Sequence, residues 1–283
     1  MLTRRESNLR FYKNNLFKGV VILLTGVSIL PLFFILYYII RQGISSINWD
    51  FITNLPKPVG EIGGGILNAI QGSAIMILVA SLIAIPFSIY IGIFLSEFPN
   101  NKLAYVTRVA VDVLQGTPSI VIGIVIYEWV VKPIGSFSAL SGSIALALMM
   151  IPSIAKATEE TLKLIPYSLK EASLSLGVPY YRTVFRVVIP AGIGGIMAGV
   201  ILSVSRIAGE TAPLLFTAFG NPFMNSNILK PMSSIPLLIF NYAISPYEEW
   251  HKLAWGASFV LIIFILFLNL VTKLAERRWR VQF

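Results

Sequence analysis

The sequence predicts an all-α integral membrane protein with six transmembrane helices. Hydrophobic residues make up 56% of the chain and charged residues only 12%, and the mean hydropathy is +0.78. This is the composition of a protein surrounded mostly by lipid. Six apolar stretches reach or approach the length of about 20 residues that a helix needs to cross a bilayer. The stretches are continuous rather than alternating, so a transmembrane β-barrel is excluded.

The six predicted spans differ in length. The second is longer than a bilayer requires and contains Pro86, which can kink a helix, whereas the fourth is short. We interpret the first as a retained helix rather than a secretory signal, because its apolar run is long and no small-residue cleavage site follows it. The predicted spans are roughly residues 19–40, 66–96, 109–131, 138–155, 192–218 and 254–272.

Basic residues orient these spans. Lys and Arg number 16 on one predicted side of the membrane and 5 on the other, and Arg206 lies within the fifth span. The positive-inside rule therefore places both termini in the cytoplasm. The same asymmetry accounts for the net charge of +9, so a nucleic-acid partner is not indicated. The chain divides into a cytoplasmic tail of residues 1–18 and a single transmembrane domain of residues 19–283.

Two connections are long enough to have structure of their own. The outer loop, about residues 219–253, contains the proline-bounded segment PMSSIPLLIFNYAIS, which is too short to cross twice and predicts an interfacial or re-entrant helix. The cytoplasmic connection, about residues 156–191, contains a short amphipathic helix, then Gly177, then a second helix beginning near Pro179. We expect this pair to form a helix-turn-helix across the membrane face, where contact with lipid headgroups alone is the alternative.

The cytoplasmic connection also carries a motif. Glu171, Ala172, Gly177 and Pro190, at their spacing, resemble the EAA loop of ATP-binding-cassette importer permeases, which in that family docks into the cytoplasmic ATPase subunit. The resemblance implies that these four residues couple the chain to an ATPase. Three positions depart conservatively from the family's pattern, namely Ser173, Val187 and Ile189.

Three further stretches narrow the resemblance. QGTPSIVIG (115–123), LSGSIALALMMIPSIAKATEETLKLIP (140–166) and RIAGETAPLLFTA (206–218) are similar to the A-type permease subunit of phosphate importers. That similarity implies a transport subunit of a prokaryotic cytoplasmic (inner) membrane, in contact with lipid and without catalytic residues. It also implies a homologous second permease subunit, two ATP-binding ATPase subunits and an extracytoplasmic phosphate-binding protein as partners.

Cofactor and metal chemistry are not expected of this chain. The sequence contains no G-x-x-x-x-G-K-[ST] phosphate-binding loop, so ATP and Mg²⁺ are expected to be used by the partner ATPase subunits. Cysteine is absent, which excludes disulfides and thiol chemistry. The lone His251 lies in the outer loop without enough neighbouring ligands for a metal ion.

Two charges inside the fifth predicted span form the candidate substrate site. Arg206 lies near the middle of residues 192–218, where a lone charge costs about 2.5–3.5 kcal/mol on insertion scales, so it should face protein or water. A helical wheel places Arg206 and Glu210 on the same face as a stripe of small residues, which lets another helix approach. The stripe consists of Ala191, Gly195, Gly199 and Ser203.

The chemistry of this pair suits an anion. Arginine offers phosphate oxygens a planar, permanently charged fork, and Glu210 can neutralise Arg206 when no substrate is bound. A structural ion pair without substrate contact and, less well supported, a proton relay through Glu210 are the alternatives. Thr211 is placed in the same pathway.

A second polar site is predicted where Pro118 interrupts the third span. The proline frees a backbone carbonyl that Thr117 or Ser119 can satisfy, so both residues are candidate pathway lining. A purely architectural bend is the alternative.

We therefore expect a permease that imports inorganic phosphate by alternating access. A permease for another oxyanion such as sulfate is the nearest rival. A passive anion channel would need no EAA loop, and a membrane scaffold would not require a charge at mid-membrane.

Overall fold

The computed structural model describes residues 4–61 and 63–279. Residues 1–3 of the predicted tail and residues 280–283 at the end of the predicted domain lie outside the described residues. Within the described ranges the regular structure is helical, apart from one isolated β-bridge between Phe219 and Met232. The helices are α1 (Arg4–Gly43), α2 (Trp49–Thr53), α3 (Leu67–Glu97), α4 (Lys102–Gly116), α5 (Ser119–Ile126), α6 (Lys132–Ile134), α7 (Ala139–Lys163), α8 (Tyr167–Ser175), α9 (Tyr180–Thr183), α10 (Ile189–Ala208), α11 (Ala212–Leu215), α12 (Ile235–Ala243) and α13 (Glu248–Trp279).

Five helices among the described residues are long and apolar enough to cross a membrane, and α4 with the α5–α6 segment makes a sixth crossing if the bent pair counts as one. The all-helical fold is confirmed, but α1, α7 and α13 run beyond the predicted apolar stretches. Their backbone hydrogen bonds continue into polar sequence, which hydropathy does not detect. The five are Lys13–Ser46, Leu67–Glu97, Ala139–Lys163, Tyr180–Ala208 and Glu248–Leu274.

The two ends of the bundle are named here by the orientation that the charge count predicts. The outer end contains Leu67 and Ala139, where α3 and α7 begin. The inner end contains Glu97 and Lys163, where the same two helices finish.

The third predicted span is bent rather than straight. α4 and the segment Ser119–Ile134 meet at an angle of 104°. Pro118 cannot donate a backbone hydrogen bond, and Thr117 ends α4 by donating its hydroxyl to the Val113 carbonyl over 2.7 Å. The predicted interruption at Pro118 is therefore confirmed, and the span given as residues 109–131 consists of two helices rather than one.

The fifth predicted span, residues 192–218, is also not one helix. The structure starts it earlier, because α9 continues through a π-helical turn at Val184–Val188 into α10. This turn lies just before Pro190, which has no N–H to donate into a regular α-helical ladder. The helix ends at Ala208, and residues 209–218 form a turn and the four-residue α11. Gly209, Glu210 and Thr211 follow this end directly, but the predicted span ran through them because residues 212–218 are again mostly apolar.

The centre of the bundle is the packing of α3 against α7, which run in the same direction. Small residues allow the two backbones to approach closely: a Cβ atom on Gly92 would lie only 2.4 Å from Cβ of Thr158. Met76, Leu146 and Met150 fill the space between these helices and are buried almost completely. The other helices pack around this pair.

The loop after α11 enters the bundle from the outer end. The Ile235 amide donates to the Ser73 hydroxyl over 2.9 Å, and a Cβ atom on Gly72 would lie 2.0 Å from the Ser233 carbonyl oxygen. Both contacts lie one to two turns along α3, so α12 begins inside the bundle and returns toward the outer end. We call residues 219–243 the re-entrant segment. It has the form that the sequence favoured for this loop.

Candidate functional site

Arg206 lies in the last turn of α10, and half of its side chain is exposed on this chain. Its Nε atom is 3.9 Å from Oε1 of Glu210, whose side chain is 19% exposed. This distance makes an ion pair but not a hydrogen bond. Within the part of the chain that the structure describes, the Arg206 guanidinium makes no other polar contact. Its donors therefore remain available to a ligand.

The level of Arg206 in the bundle follows from the packing of α10 against α7. Gly199 lies directly against Ala157, where an added Cβ atom would come within 2.4 Å of the alanine Cβ. The two helices run in opposite directions, and equal numbers of residues separate Gly199 from Arg206 and Ala157 from Met150. Arg206 thus lies beside Met150, close to the middle of α7. The helix that carries it ends inside the bundle while α7 continues to the outer end.

The face occupied by Arg206 differs from the prediction. The small-residue stripe does pack on α7, with Gly195 against Thr161 and Gly199 against Ala157. Arg206, however, is exposed on the same side as Leu202, which is 60% exposed. The wheel assumed one contact face along the whole helix, whereas the buried face shifts around α10 from its inner to its outer half. In the outer half the buried positions are Val200, Ser203, Ser205, Ile207 and Ala208.

The remaining predicted pathway residues lie at two other helix ends. Thr117 uses its hydroxyl to end α4, and Ser119 is the first residue of α5. Thr211 is the residue before α11. Among the described residues, none of these three hydroxyls bonds to Arg206 or Glu210. The structure joins the segments by backbone packing instead, because a Cβ atom on Gly123 of α5 would lie 2.8 Å from Cα of Pro213 in α11.

The break at Thr117 lies at the same level as Arg206. Asp112 of α4 forms an ion pair with Lys156 of α7 over 2.5 Å, and α4 continues from there toward the outer end. Its last turn therefore also ends beside the middle of α7. Two transmembrane helices, α4 and α10, thus end at one level of the bundle. Irregular backbone at this depth is expected where it is covered by protein or lines a cavity.

At the inner end, residues 167–183 form a compact helical hairpin, which we call the α8–α9 hairpin. Gly177 adopts a left-handed φ of +75°, and its amide donates to the Leu174 carbonyl over 2.9 Å. Ser173 and Thr183 share a buried hydroxyl hydrogen bond of 2.9 Å that holds the two helices together. Because α9 continues into α10, the second helix is the start of the fifth span rather than a separate helix.

The EAA-like residues are distributed along this hairpin and the helix after it. Glu171, Ala172 and Gly177 are exposed, and Pro190 is exposed in the first turn of α10. Ser173, which departs from the family pattern, is the buried residue that bonds to Thr183. The exposed positions present an open surface at the inner end.

One charged group in this region was missed by the sequence analysis. Glu97 ends α3 with its side chain only 2% exposed, and its Oε1 accepts from Lys170 Nζ over 2.7 Å. Its other oxygen accepts a hydrogen bond from the Tyr180 hydroxyl. A carboxylate is unfavourable at a helix C-terminus, so its position was a sequence signal that a cation lies nearby.

A second buried carboxylate joins three helices at the same end. Glu159 of α7 accepts from Arg108 of α4 over 2.7 Å and from Lys163 over 2.5 Å. Arg108 also donates to the Leu95 carbonyl of α3 over 3.4 Å. Within the described ranges, no group of three His, Cys, Asp or Glu side chains is placed to hold a metal ion.

The sequence has close relatives among known transport proteins. It is 40% identical over 243 residues to the phosphate transport system permease protein PstA of Yersinia pestis, an alignment that covers 86% of this chain and 82% of that protein. It is 36% identical over 263 residues to the probable phosphate transport system permease protein PstA of Methanocaldococcus jannaschii, with 93% of each chain covered.

Solved structures show the same fold at low sequence identity. The inward-facing MetNI methionine ABC transporter aligns with a TM-score of 0.65 and 17% identity, covering 76% of this chain and 96% of that chain. A crystal structure of an amino acid ABC transporter aligns with a TM-score of 0.57 and 16% identity, covering 75% and 93%.

A family match covers most of the chain. Residues 84–281 match the family described as binding-protein-dependent transport system inner membrane component. This range includes α4, both helix breaks, the α8–α9 hairpin and the Arg206 region. The chain is therefore a member of the binding-protein-dependent transport system inner membrane components and, within them, of the phosphate transport system permease proteins.

Proposed function

We propose that this chain forms one half of the membrane pathway of an ATP-driven importer of inorganic phosphate. The observation that carries the proposal is Arg206, a permanent cation with uncommitted donors beside the middle of α7. Its planar fork suits a tetrahedral oxyanion, and the relatives that share this region are named as phosphate permeases.

The Arg206–Glu210 pair supports a cycle of binding and release. Without substrate, Glu210 stabilises the arginine across 3.9 Å, a separation at which the attraction is weaker than in a hydrogen-bonded pair. An arriving phosphate can bond directly to the guanidinium and compete with Glu210 for its charge. Thr117, Ser119 and Thr211 are then candidates for neutral polar contacts as the substrate passes.

A second permease subunit completes the pathway in this proposal. Half of the Arg206 side chain is not covered by this chain, although it lies beside the middle of α7. A charge at such a depth needs protein or water on its open side. A homologous permease facing this side would enclose a shared cavity, with the remaining apolar surface in contact with lipid.

The energy for transport comes from partner subunits. The sequence has no phosphate-binding loop, so we assign no ATP hydrolysis or cofactor to this chain, and two ATPase subunits use ATP and Mg²⁺. Glu171, Ala172, Gly177 and Pro190 form the contact region for one of them. Closure of the ATPases would push the α8–α9 hairpin and rock the spans between inward-open and outward-open states.

We place the complex in a prokaryotic inner membrane with both termini cytoplasmic, on the basis of the basic-residue asymmetry. In this orientation the re-entrant segment faces the outside. An extracytoplasmic binding protein would deliver phosphate there, in keeping with the description of the family as binding-protein-dependent.

Phosphate uptake by the purified complex in proteoliposomes tests the proposal. We expect uptake that requires ATP, is inhibited by excess unlabelled phosphate and is unaffected by equal sulfate. Preferred uptake of sulfate would favour the other-oxyanion alternative. Phosphate flux that continues without ATP would favour a passive anion channel.

A further inference from the structure

We propose that Glu97 is a positioning residue that fastens the α8–α9 hairpin to α3 and thereby transmits movement of the hairpin to the re-entrant segment. The inference rests on the proposed function, in which an ATPase moves this hairpin.

The fastening involves both arms of the hairpin. Lys170 lies in α8, directly before Glu171, and Tyr180 is the first residue of α9. One Glu97 oxygen accepts from Lys170 over 2.7 Å and the other accepts from the Tyr180 hydroxyl. The hairpin therefore cannot rotate or shift relative to α3 without breaking one of these bonds.

The environment makes these bonds stronger than surface contacts. The Glu97 side chain is 2% exposed and the Lys170 side chain 12% exposed. Removing one partner of a buried ion pair leaves the other charge without compensation, which is much more costly than losing an exposed pair. The contrast within this chain is Glu128 with Lys132, an ion pair of 2.8 Å whose side chains are 50% and 65% exposed.

The other end of α3 is bonded to the re-entrant segment. Asn68 donates to the Asn221 carbonyl over 2.7 Å, and Ser73 accepts from the Ile235 amide over 2.9 Å. Gln71 donates to the Ser226 hydroxyl over 3.0 Å. These contacts place backbone groups from the start of the re-entrant segment and from the start of α12 on the first turns of α3.

The helix between these two sets of bonds is continuous. α3 has 31 residues, which corresponds to a length of about 46 Å. The fifth span also begins in the hairpin, but α10 ends at Ala208 beside the middle of α7. α7 also runs from the outer end to the hairpin, to which residues 164–166 join it along the chain, but α3 is bonded through Glu97 to both arms of the hairpin. We therefore assign α3 a direct mechanical route from an ATPase at the inner end to a gate at the outer end.

The proposal predicts that loss of the Glu97 contacts uncouples ATP hydrolysis from phosphate transport. In Glu97→Gln the side chain keeps its shape but loses its charge, so the hairpin can move without moving α3. We expect ATP hydrolysis to continue while the phosphate transported per ATP falls about tenfold. This fall is within the roughly 5- to 150-fold factors by which coupled sites typically affect each other. Tyr180→Phe removes only one hydrogen bond and should give a smaller loss in the same direction.

The decisive experiment measures phosphate uptake and ATP hydrolysis in the same proteoliposomes, per assembled complex. The quantity compared is the ratio of phosphate transported to ATP hydrolysed. The charge-swapped double variant Glu97→Lys, Lys170→Glu restores an ion pair between α3 and α8 and should recover part of the fall in this ratio. Glu128→Gln breaks the exposed pair and should keep the wild-type ratio. A wild-type ratio in Glu97→Gln would overturn the proposal, as would a loss that the charge swap leaves unchanged.

A second measurement does not depend on the substrate. Spin labels on cysteines introduced at Met224 and Trp129, both exposed, report the distance between the re-entrant segment and the segment after α5. We expect ATP binding to change this distance in an otherwise wild-type complex and not in Glu97→Gln. An equal change in both would refute the route through α3. A wild-type complex that moves but takes up no phosphate would instead contradict the proposed function.

Should Glu97→Gln prevent assembly, Lys170→Gln and Tyr180→Phe provide the same test from the hairpin side. Each leaves the α3 carboxylate in place and loosens one arm. If both variants transported as much phosphate per ATP as the wild type, the proposal would be refuted even though Glu97 itself was left unchanged.

Discussion

Gly199 of α10 lies directly against Ala157 of α7, with no room for a side chain between the two helices. This contact fixes the register of the fifth span and so sets the level at which Arg206 lies. The small residues predicted from spacing thus have a defined partner. Their role is to let α10 approach α7 closely enough to bury the outer half of its apolar face.

Gly199→Leu should separate these helices. A Cβ atom alone would come within 2.4 Å of Ala157, so the larger side chain forces α10 to move, at a cost of about 1–3 kcal/mol for typical overpacking. We expect a lower thermal stability of the purified permease complex. Gly26→Leu is the matched control, because an added Cβ there meets no atom within 4 Å. Equal melting temperatures for the two variants would contradict the packing role.

Neutralising Arg206 should impair transport more than assembly. Arg206→Gln removes the fixed charge, and we expect phosphate uptake to fall about 10- to 100-fold, comparable to the loss of a charged hydrogen bond worth about 1.5–3 kcal/mol. Arg206→Lys keeps the charge but loses the fork and should retain intermediate activity. Uptake is measured per assembled complex with saturating ATP.

The paired variant separates substrate handling from structure. Glu210→Gln should also slow turnover, because Arg206 loses its counter-charge and holds the anion longer. A purely structural pair predicts that either single change lowers the amount of folded complex and that the double change restores it. Wild-type turnover in a well-assembled Arg206→Gln, Glu210→Gln complex would show that the pair does not handle substrate.

The turn at Gly177 should tolerate asparagine but not valine. Its φ of +75° is accessible to Asn at low cost, whereas a β-branched residue in this region costs about 1–2 kcal/mol. An added Cβ meets no atom within 4 Å, so any effect of the valine reflects backbone strain and not crowding by its Cβ atom. We expect Gly177→Val to reduce co-purification of the ATPase and Gly177→Asn to retain it. Identical recovery with both variants would argue against a conformational role.

Cysteine labelling tests the orientation of the membrane domain. The native chain contains no cysteine, so each introduced thiol reports one position. Met224→Cys in the re-entrant segment should react with an impermeant reagent from outside, and Leu176→Cys in the α8–α9 hairpin only from the cytoplasm. Both positions are exposed. The reverse pattern would invert the predicted topology.

Sequence reasoning located what depends on composition and spacing. The membrane class, the helical turn at Gly177 and the small stripe on α10 follow from apolar runs, glycine and residue periodicity, and the structure contains each of them. The place where α10 ends was missed because the apolar residues after Thr211 were counted in the same span, although Gly209 is a common helix terminator. A helix inside a bundle can end wherever neighbouring chain satisfies its last carbonyls.

The polar partners of α3 were equally hidden. Glu97 and Lys170 are far apart in sequence, and although a carboxylate at the end of α3 indicates a nearby cation, no local pattern identifies Lys170 as that cation. The exposed position of Arg206 was missed for a related reason, since it depends on how the contact face shifts along α10. Both features are set by tertiary packing rather than by the periodicity of one helix.

The end of α10 inside the bundle gives Arg206 an electrostatic neighbour besides Glu210. The last turn of a helix carries a partial negative charge at its carbonyl end, and a cation in that turn is stabilised by it. The backbone therefore already satisfies part of the charge that attracts an anion. A phosphate at Arg206 is consequently held less tightly than it would be by an arginine at a helix N-terminus. Weak retention of this kind favours passage of the ion over storage.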